Sequence, residues 1–123
     1  MTNTSGSRPA VILGDLNAGH AFADEGIVAE GEATLDLLEA AFVPAYTADF
    51  TPLCTFCSTN PVTNPDSDPD VSSVWIDHIQ LHNLTADSVV STERIYDEDV
   101  VPVDGQMVPL SDHFGMRSVI TVP

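Results

Sequence analysis

Two polar motifs, each attached to an apolar run, stand far apart in this chain. In the first, a short apolar run leads directly into Asp15 and Asn17. In the second, Asp112 and His113 come just before an alternating, strand-like run that ends the chain. Side chains at strand ends reach the rim of a sheet, where carboxylates, an amide and an imidazole suit a hydrated divalent cation and a phosphate ester.

The first motif has a chemical and a structural interpretation. Phosphodiester cleavage needs a water in line with the leaving oxygen and donors for the charge that grows on phosphorus. Asp15 can orient and deprotonate that water, and the Asn17 amide can donate to a phosphoryl oxygen from the same side of an extended segment. The alternative is a cap, because Asp and Asn at a strand end often bond nearby backbone. In isolation, the motif favours the cap.

A third motif, between the other two in the sequence, could supply a partner for the histidine of the second motif. His113 can act as a general base or as a cation that stabilises the phosphate transition state, provided that a carboxylate fixes its tautomer. Asp77, inside a strand-like run, is the candidate for that role. We expect its carboxylate to lie within about 2.6–3.2 Å of the His113 ring. In isolation, Ser111, Asp112 and His113 favour a polar turn before a strand.

The order Gly-Asp-x-Asn, Ile-Asp-x-Ile and Ser-Asp-His-Phe resembles the second half of the endonuclease/exonuclease/phosphatase superfamily, which has the DNase I-like fold. The resemblance covers residues 10–122. It implies an α/β (α+β) fold with a mixed sheet and one main helix, forming the second half of a four-layered sandwich. It also implies a divalent-metal-dependent phosphodiester (phosphoric ester) hydrolase that uses Mg²⁺ or Mn²⁺.

The resemblance assigns roles to the motif residues. Asp15 and Asn17 serve catalysis and phosphate contact, Asp77 orients the catalytic His113, and Asp112 supplies a carboxylate near the metal. The layout of the cysteines ahead of the Asp77 motif is also similar to the bacterial sphingomyelinase-like, extracellular branch. Those enzymes often dock on membranes through an aromatic hairpin before the last motif. The corresponding segment here, Tyr96 to Pro109, is acidic, which disfavours insertion into a bilayer.

The chain also departs from that family. The first half of the family domain supplies an asparagine, a glutamate that is the principal metal ligand, and a second histidine, and none of them can be placed here. We therefore expect a fragment or split gene product that needs its missing N-terminal half or self-associates. The alternative is a catalytically silent module that binds a partner through an exposed sheet face. The substrate class stays open among nucleic acid, sphingolipid, inositol phosphate and nucleotide.

The composition is strongly acidic. The 123 residues include 19 Asp and Glu, three Arg and no Lys, for a formal charge of −16. Such a surface repels polyanions, so nucleic acid is a disfavoured partner. Two explanations stay open: adaptation to high salt, or an acidic half whose basic residues lie elsewhere. At 43% apolar residues the chain can form one core, which we place in residues 10–123 after a flexible lead-in over residues 1–9.

Other features carry weaker signals. The chain contains no apolar run long enough to span a membrane and no signal-peptide pattern at its N-terminus, so its location stays open. Cys54 and Cys57 predict either a local disulfide or two reduced loop thiols. His20, His78 and His82 could form a metal site, but solvent-facing histidines are the favoured interpretation.

Apolar periodicity outlines the elements that must position these residues. It predicts a strand over Ala10–Gly14, buried on both faces, and a helix over Glu30–Phe42 that ends before Pro44. Further strands are predicted at Ser73–Leu81, Asp87–Tyr96 and Phe114–Val122, with a long mobile loop at Thr59–Asp70 and an acidic turn at Asp97–Gln106.

Overall fold

The structure, a computed structural model, describes residues 8–123, so most of the predicted lead-in lies outside the described residues. One helix and seven strands follow each other within that range. Their bounds are β1 Ala10–Asp15, α1 Glu32–Glu39, β2 Val43–Pro44, β3 Asp77–His82, β4 Val89–Ile95, β5 Val101–Val103, β6 Gln106–Val108 and β7 Gly115–Ile120.

The strands form three small antiparallel sheets. The first has the order β1-β3-β2, and the other two pair β4 with β7 and β5 with β6. The α+β class predicted from the sequence is therefore present, with several small antiparallel sheets where one mixed sheet was expected. Strand β3 is central, because it pairs with both neighbours of its sheet and also contacts β7.

Strand β1 forms where predicted, but the expected burial on both faces is wrong. All six of its residues are exposed, and Leu13 retains 70% of its accessible surface. The reason is position: β1 lies at the edge of its sheet and pairs only with β3. A short apolar run predicts a strand, but it cannot show whether another layer covers that strand.

Helix α1 is shorter than the predicted Glu30–Phe42. It begins after Gly31, whose φ of 50° is left-handed, and it ends at Glu39. Leu35 is buried. The chain must leave the helix by residue 42 to enter β2, which contains Pro44. The helix-like apolar spacing therefore extends to Phe42, although the helix itself ends at Glu39.

The predicted acidic turn at Asp97–Gln106 contains a hairpin. Strands β5 and β6 pair antiparallel on either side of Asp104 and Gly105, which have φ values of 49° and 81°. Two consecutive positive φ angles are typical of the tight hairpin turn that Asp-Gly favours. The signal was present in the sequence as Asp-Gly between two short apolar runs.

Two clusters form the interior. Between the sheets, Ala45, Leu81 and Val89 are buried together, with Ile79, Leu84 and Ile120 packed against them. In the second cluster, Trp75 is the centre of a group of aromatic rings. Its ring contacts those of Phe22, Tyr46, Phe50 and His78. Within residues 8–123, no helix has the length and apolar character needed to cross a membrane.

Candidate active site

The pairing of β1 with β3 places two carboxylates side by side. Asp15 is directly opposite Asp77 in the antiparallel register. Like charges in such a pair repel each other, so the arrangement needs a compensating cation. His113 supplies one: its Nδ1 donates to Asp77 Oδ2 at 2.7 Å, and its Nε2 lies 4.0 Å from Asp15 Oδ2. The predicted Asp77–His113 hydrogen bond is thus confirmed.

Asp77 is fixed through its backbone. The hydroxyl oxygen of Thr55, a completely buried residue, accepts hydrogen bonds from the N–H groups of Ile76 and Asp77, both at 3.1 Å. The indole N–H of Trp75 donates to the Asp77 carbonyl at 2.9 Å. These three bonds set the position from which the carboxylate meets His113. Thr55 was not predicted as a site residue, because only the tertiary fold brings it to Asp77.

The segment that carries His113 is held by the loop predicted to be mobile. The Asn60 amide donates to the Ser111 carbonyl at 2.9 Å, and the Thr63 hydroxyl donates to the Asp112 carbonyl at 2.6 Å. The Ser111 hydroxyl in turn accepts from the His113 N–H at 3.1 Å. Because Asn60 is almost fully buried, this part of the loop is a scaffold for the site.

Cys54 and Cys57 form a disulfide, so the first of the two alternatives left by the sequence is the correct one. Both residues between them serve the site: Thr55 holds the Asp77 backbone, and the ring of Phe56 lies 5.2 Å from that of His113. The cysteine motif therefore supports the geometry around Asp77 and His113.

Asp15 and Asn17 show the capping contact that the structural interpretation predicted. The Asn17 N–H donates to Asp15 Oδ1 at 2.8 Å. Asn17 has a φ of 49°, so the extended geometry assumed for this pair is wrong. The cap uses only one oxygen of Asp15, and the other, Oδ2, lies 4.0 Å from His113 Nε2. Asn17 itself is exposed.

Asp112 does not join the cluster of Asp15, Asp77 and His113. The ligand atoms of Asp15, Asp77 and His113 all lie within 4.8 Å of one another, and Asp112 is not part of that group. Its exposed carboxylate instead accepts a hydrogen bond from the Ser111 hydroxyl at 3.2 Å. Its negative charge nevertheless contributes to raising the pKa of the neighbouring His113.

Two of the three converging groups, the carboxylates, could hold a hard divalent cation. Mg²⁺ is commonly bound by one or two carboxylates, several waters and the phosphate of the substrate. Asp15 Oδ2 and the Asp77 carboxylate are the oxygens available for it here. His113 is a poor ligand for Mg²⁺, and its Nδ1 is already committed to Asp77.

The protonation of His113 follows from its neighbours. Burial alone lowers the pKa of His113, but the hydrogen bond to Asp77 and the charges of Asp77, Asp15 and Asp112 raise it above 6.5. The carboxylates around the ring therefore favour the imidazolium, whose Nε2–H lies on the side of Asp15. The resulting stabilisation is complete below about pH 6.5 and is lost as the pH rises through the folded-state pKa.

An open cleft of about 400 Å³ adjoins Asp77. Leu13 and Gly14 from β1 and Met116 and Arg117 from β7 line it, so it lies between the first and second sheets. Arg117, the basic residue of this lining, donates to Glu93 at 2.7 Å. The lining of the cleft is thus mainly apolar and includes one acidic residue, Asp77.

The three other histidines do not share one site. His78 Nε2 bonds the Ala18 carbonyl at 2.6 Å, and His82 Nδ1 bonds the Ala41 carbonyl at 2.8 Å. His20 instead contacts carboxylates of α1. The solvent-facing interpretation is wrong for His78, which is 9% exposed, and burial lowers its pKa.

Comparisons of this chain with protein-family models, with curated proteins and with solved structures find no match. The geometry of the site is therefore the basis for a functional proposal.

Replacing Asp77 with asparagine should lower the pKa of His113, because the substitution removes the hydrogen bond and the charge that oppose the effect of burial. NMR titration of the His113 ring protons measures this pKa directly. Asp112→Asn should lower it less, and Asp24→Asn, which removes an exposed carboxylate that is not among the charges acting on His113, should leave it unchanged. An unaltered His113 pKa in Asp77→Asn would contradict the geometry described here.

Proposed function

We propose that this chain carries part of the active site of a divalent-metal-dependent phosphodiester hydrolase. The observation that carries the proposal is the convergence of Asp15, Asp77 and His113, with the His113 ring held by Asp77 and its Nε2 beside Asp15. A histidine oriented by one carboxylate and placed against a second is suited to general acid–base chemistry.

Each residue has a separate task in the proposed reaction. Asp77 accepts from Nδ1 and keeps the His113 ring in place. The Nε2–H of the imidazolium then donates to a phosphoryl oxygen as negative charge grows there. The Oδ2 atom of Asp15 orients the attacking water and takes its proton. The Asn17 amide, at the exposed rim beyond Asp15, donates to a second phosphoryl oxygen.

The proposed cation, Mg²⁺ or Mn²⁺, would neutralise charge on the phosphate and lower the pKa of a bound water. The Asp77 carboxylate would hold it, and Asp15 Oδ2 remains free to take the proton of the attacking water. Asp112 would add negative charge nearby without being brought into the cluster in this structure. Because these groups provide few charged oxygens, we propose that a further carboxylate comes from another polypeptide or another part of the protein.

The source of that carboxylate connects the site to the fold. In the proposed arrangement, the described strands are the second half of a four-layered DNase I-like sandwich, and a first half packs on them. Strand β1 supports this, since its exposed edge carries Val11, Ile12 and Leu13 in a row. Exposed apolar rows of this kind are typical of surfaces that are covered by a partner.

The same edge supports the second candidate function, that of a catalytically silent module that binds a partner. In this alternative, the partner covers β1 and the adjoining cleft, and the Asp15–His113 contact only stabilises the fold. Substitution of His113 separates the two functions, because it removes catalysis from an enzyme but leaves a partner surface on β1 intact.

We test the hydrolase proposal with Mn²⁺ and a generic phosphodiester, bis(4-nitrophenyl) phosphate. Paramagnetic Mn²⁺ should broaden the NMR signals of Asp15, Asp77 and His113, and Asp15→Asn should reduce that broadening because it removes one of the carboxylate charges at the site. We expect slow turnover, because the cation is held by few charges. Turnover should fall by about 100-fold or more in His113→Ala. His82→Ala, which alters a histidine outside the site, is the matched control.

Two results would reject the proposal. One is the absence of any Mn²⁺ broadening at Asp15, Asp77 and His113 that Asp15→Asn reduces. The other is turnover that is equal in wild type and His113→Ala. Rapid turnover that depends on His113 would instead show that the described residues suffice and that no further carboxylate is needed.

A further inference from the structure

A second cluster of metal-ligating side chains joins α1 to the loop that follows β1. Glu32, Asp36 and Glu39 lie on one stripe of α1, because their spacing of four and three residues matches the helical repeat. His20 approaches this stripe from the loop. One nitrogen of His20 and carboxylate oxygens of Asp36 and Glu39 all lie within 4.8 Å of one another. This cluster shares no residue with the candidate active site.

The two ring nitrogens of His20 have different partners. Nδ1 lies 3.0 Å from Glu32 Oε1, while Nε2 lies 2.7 Å from Glu39 Oε2 and 3.8 Å from Asp36 Oδ1. A carboxylate on one nitrogen that aims the other at a ligand site is the usual outer-shell arrangement of metal-binding histidines. Two ligands at about 2.1 Å from a tetrahedral ion are about 3.4 Å apart, a value within the observed Nε2–oxygen separations.

A buried amide next to this cluster has no partner. Gln80 is 1% exposed, and neither its Nε2 nor its Oε1 makes a hydrogen bond to any of residues 8–123. Gln80 lines a cavity of about 20 Å³ together with His20 and Glu39. A cavity of this size holds about one water molecule. An unpaired buried amide is costly, so its presence indicates a polar occupant of the cavity.

We propose that His20, Asp36 and Glu39 bind a divalent transition-metal ion, with Zn²⁺ as the preferred ion. Glu32 orients His20 for this role. A water in the remaining coordination position would occupy the cavity and bond the Gln80 amide. One imidazole and two carboxylates form a ligand set that suits Zn²⁺, whereas Mg²⁺ prefers oxygen ligands alone. The ion also offsets the mutual repulsion of three carboxylates on one helical stripe.

The proposed ion has a structural role. It connects α1 to the loop after β1 and, through the water, to the central strand β3. Because the ion binds the folded chain, zinc should raise the unfolding temperature. The proposal is independent of the hydrolase proposal, since none of the four cluster residues belongs to the candidate active site.

The test is a zinc titration of the full chain after dialysis against a chelator, read by competition with a chromophoric zinc indicator. Wild type should bind one Zn²⁺ at this cluster. Glu32→Gln and Gln80→Leu should weaken binding by about 10–100-fold, as outer-shell substitutions do. His20→Ala and Glu39→Gln should weaken it more. Asp24→Asn, which removes an exposed carboxylate outside the cluster, is the matched control and should bind as wild type does.

His113→Ala separates this cluster from the candidate active site, which also contains a histidine and carboxylates. Zinc binding that survives His113→Ala, is lost in both His20→Ala and Glu39→Gln, and raises the unfolding temperature supports the proposal. Both His20→Ala and Glu39→Gln are used in case one of them fails to fold, and circular dichroism shows whether each variant is folded. Any of three results overturns the proposal: zinc binding that is lost only in His113→Ala, zinc binding that is equal in all variants, or no stoichiometric zinc binding. Unchanged zinc binding in Gln80→Leu would overturn the part of the proposal in which a zinc-bound water bonds the Gln80 amide.

Discussion

Replacing Thr55 with valine should destabilise the fold by about 3 kcal/mol. Valine has nearly the shape of threonine but no hydroxyl, so the Ile76 and Asp77 N–H groups lose their acceptor. Each buried N–H left without a partner costs about 1–3 kcal/mol. Thr55 is completely buried, so water cannot take the place of the hydroxyl. Urea unfolding at 1 M NaCl, followed by circular dichroism, measures the loss.

Two further variants identify the cause of that loss. Thr55→Ser keeps the oxygen and removes only a methyl group, so it should cost about 1 kcal/mol. Thr51→Val makes the same chemical change at an exposed position and should be nearly neutral. If Thr55→Val proved as mild as Thr51→Val, the hydroxyl would not be the element that fixes the Asp77 backbone.

The site illustrates which kinds of contact a sequence reveals. The convergence of Asp77 with His113 could be predicted, because both lie on or beside strands and their residue types are chemically complementary. The contacts made by Thr55 and Asn60 could not be predicted. The Thr55 hydroxyl bonds positions 21 and 22 residues away, the Asn60 amide bonds a position 51 residues away, and no periodicity marks these contacts.

The fold shows a similar division. Strand β1 and strand β7 lie within two residues of their predicted bounds, because period and flanking residues are local signals. The exposure of β1 and the division into small sheets depend on which strands pair, and that depends on the whole chain. The Asp-Gly turn between β5 and β6 was a local signal that the acidic composition of the segment concealed.

Salt should stabilise this chain strongly. With a formal charge of −16 and three arginines, the folded state concentrates negative charge. Arg94 and Arg117 are each paired with one carboxylate, which leaves most acidic residues uncompensated. Raising the salt from 0.01 M to 1 M shortens the Debye length from about 30 Å to about 3 Å and removes most of the repulsion. A gain of about 2 kcal/mol would raise the unfolding temperature by roughly 10 °C.

At low salt we therefore expect an expanded, weakly folded chain, and at molar salt a compact one that self-associates through the apolar edge of β1. Circular dichroism and light scattering across a NaCl titration measure both effects. A variant with Glu98→Gln, Asp99→Asn and Asp104→Asn, three exposed acids, should fold at lower salt, because it carries less charge to screen. A chain that is compact, cooperatively folded and monomeric at 0.01 M salt would contradict this, since neither its charge nor its exposed β1 edge would then need compensation.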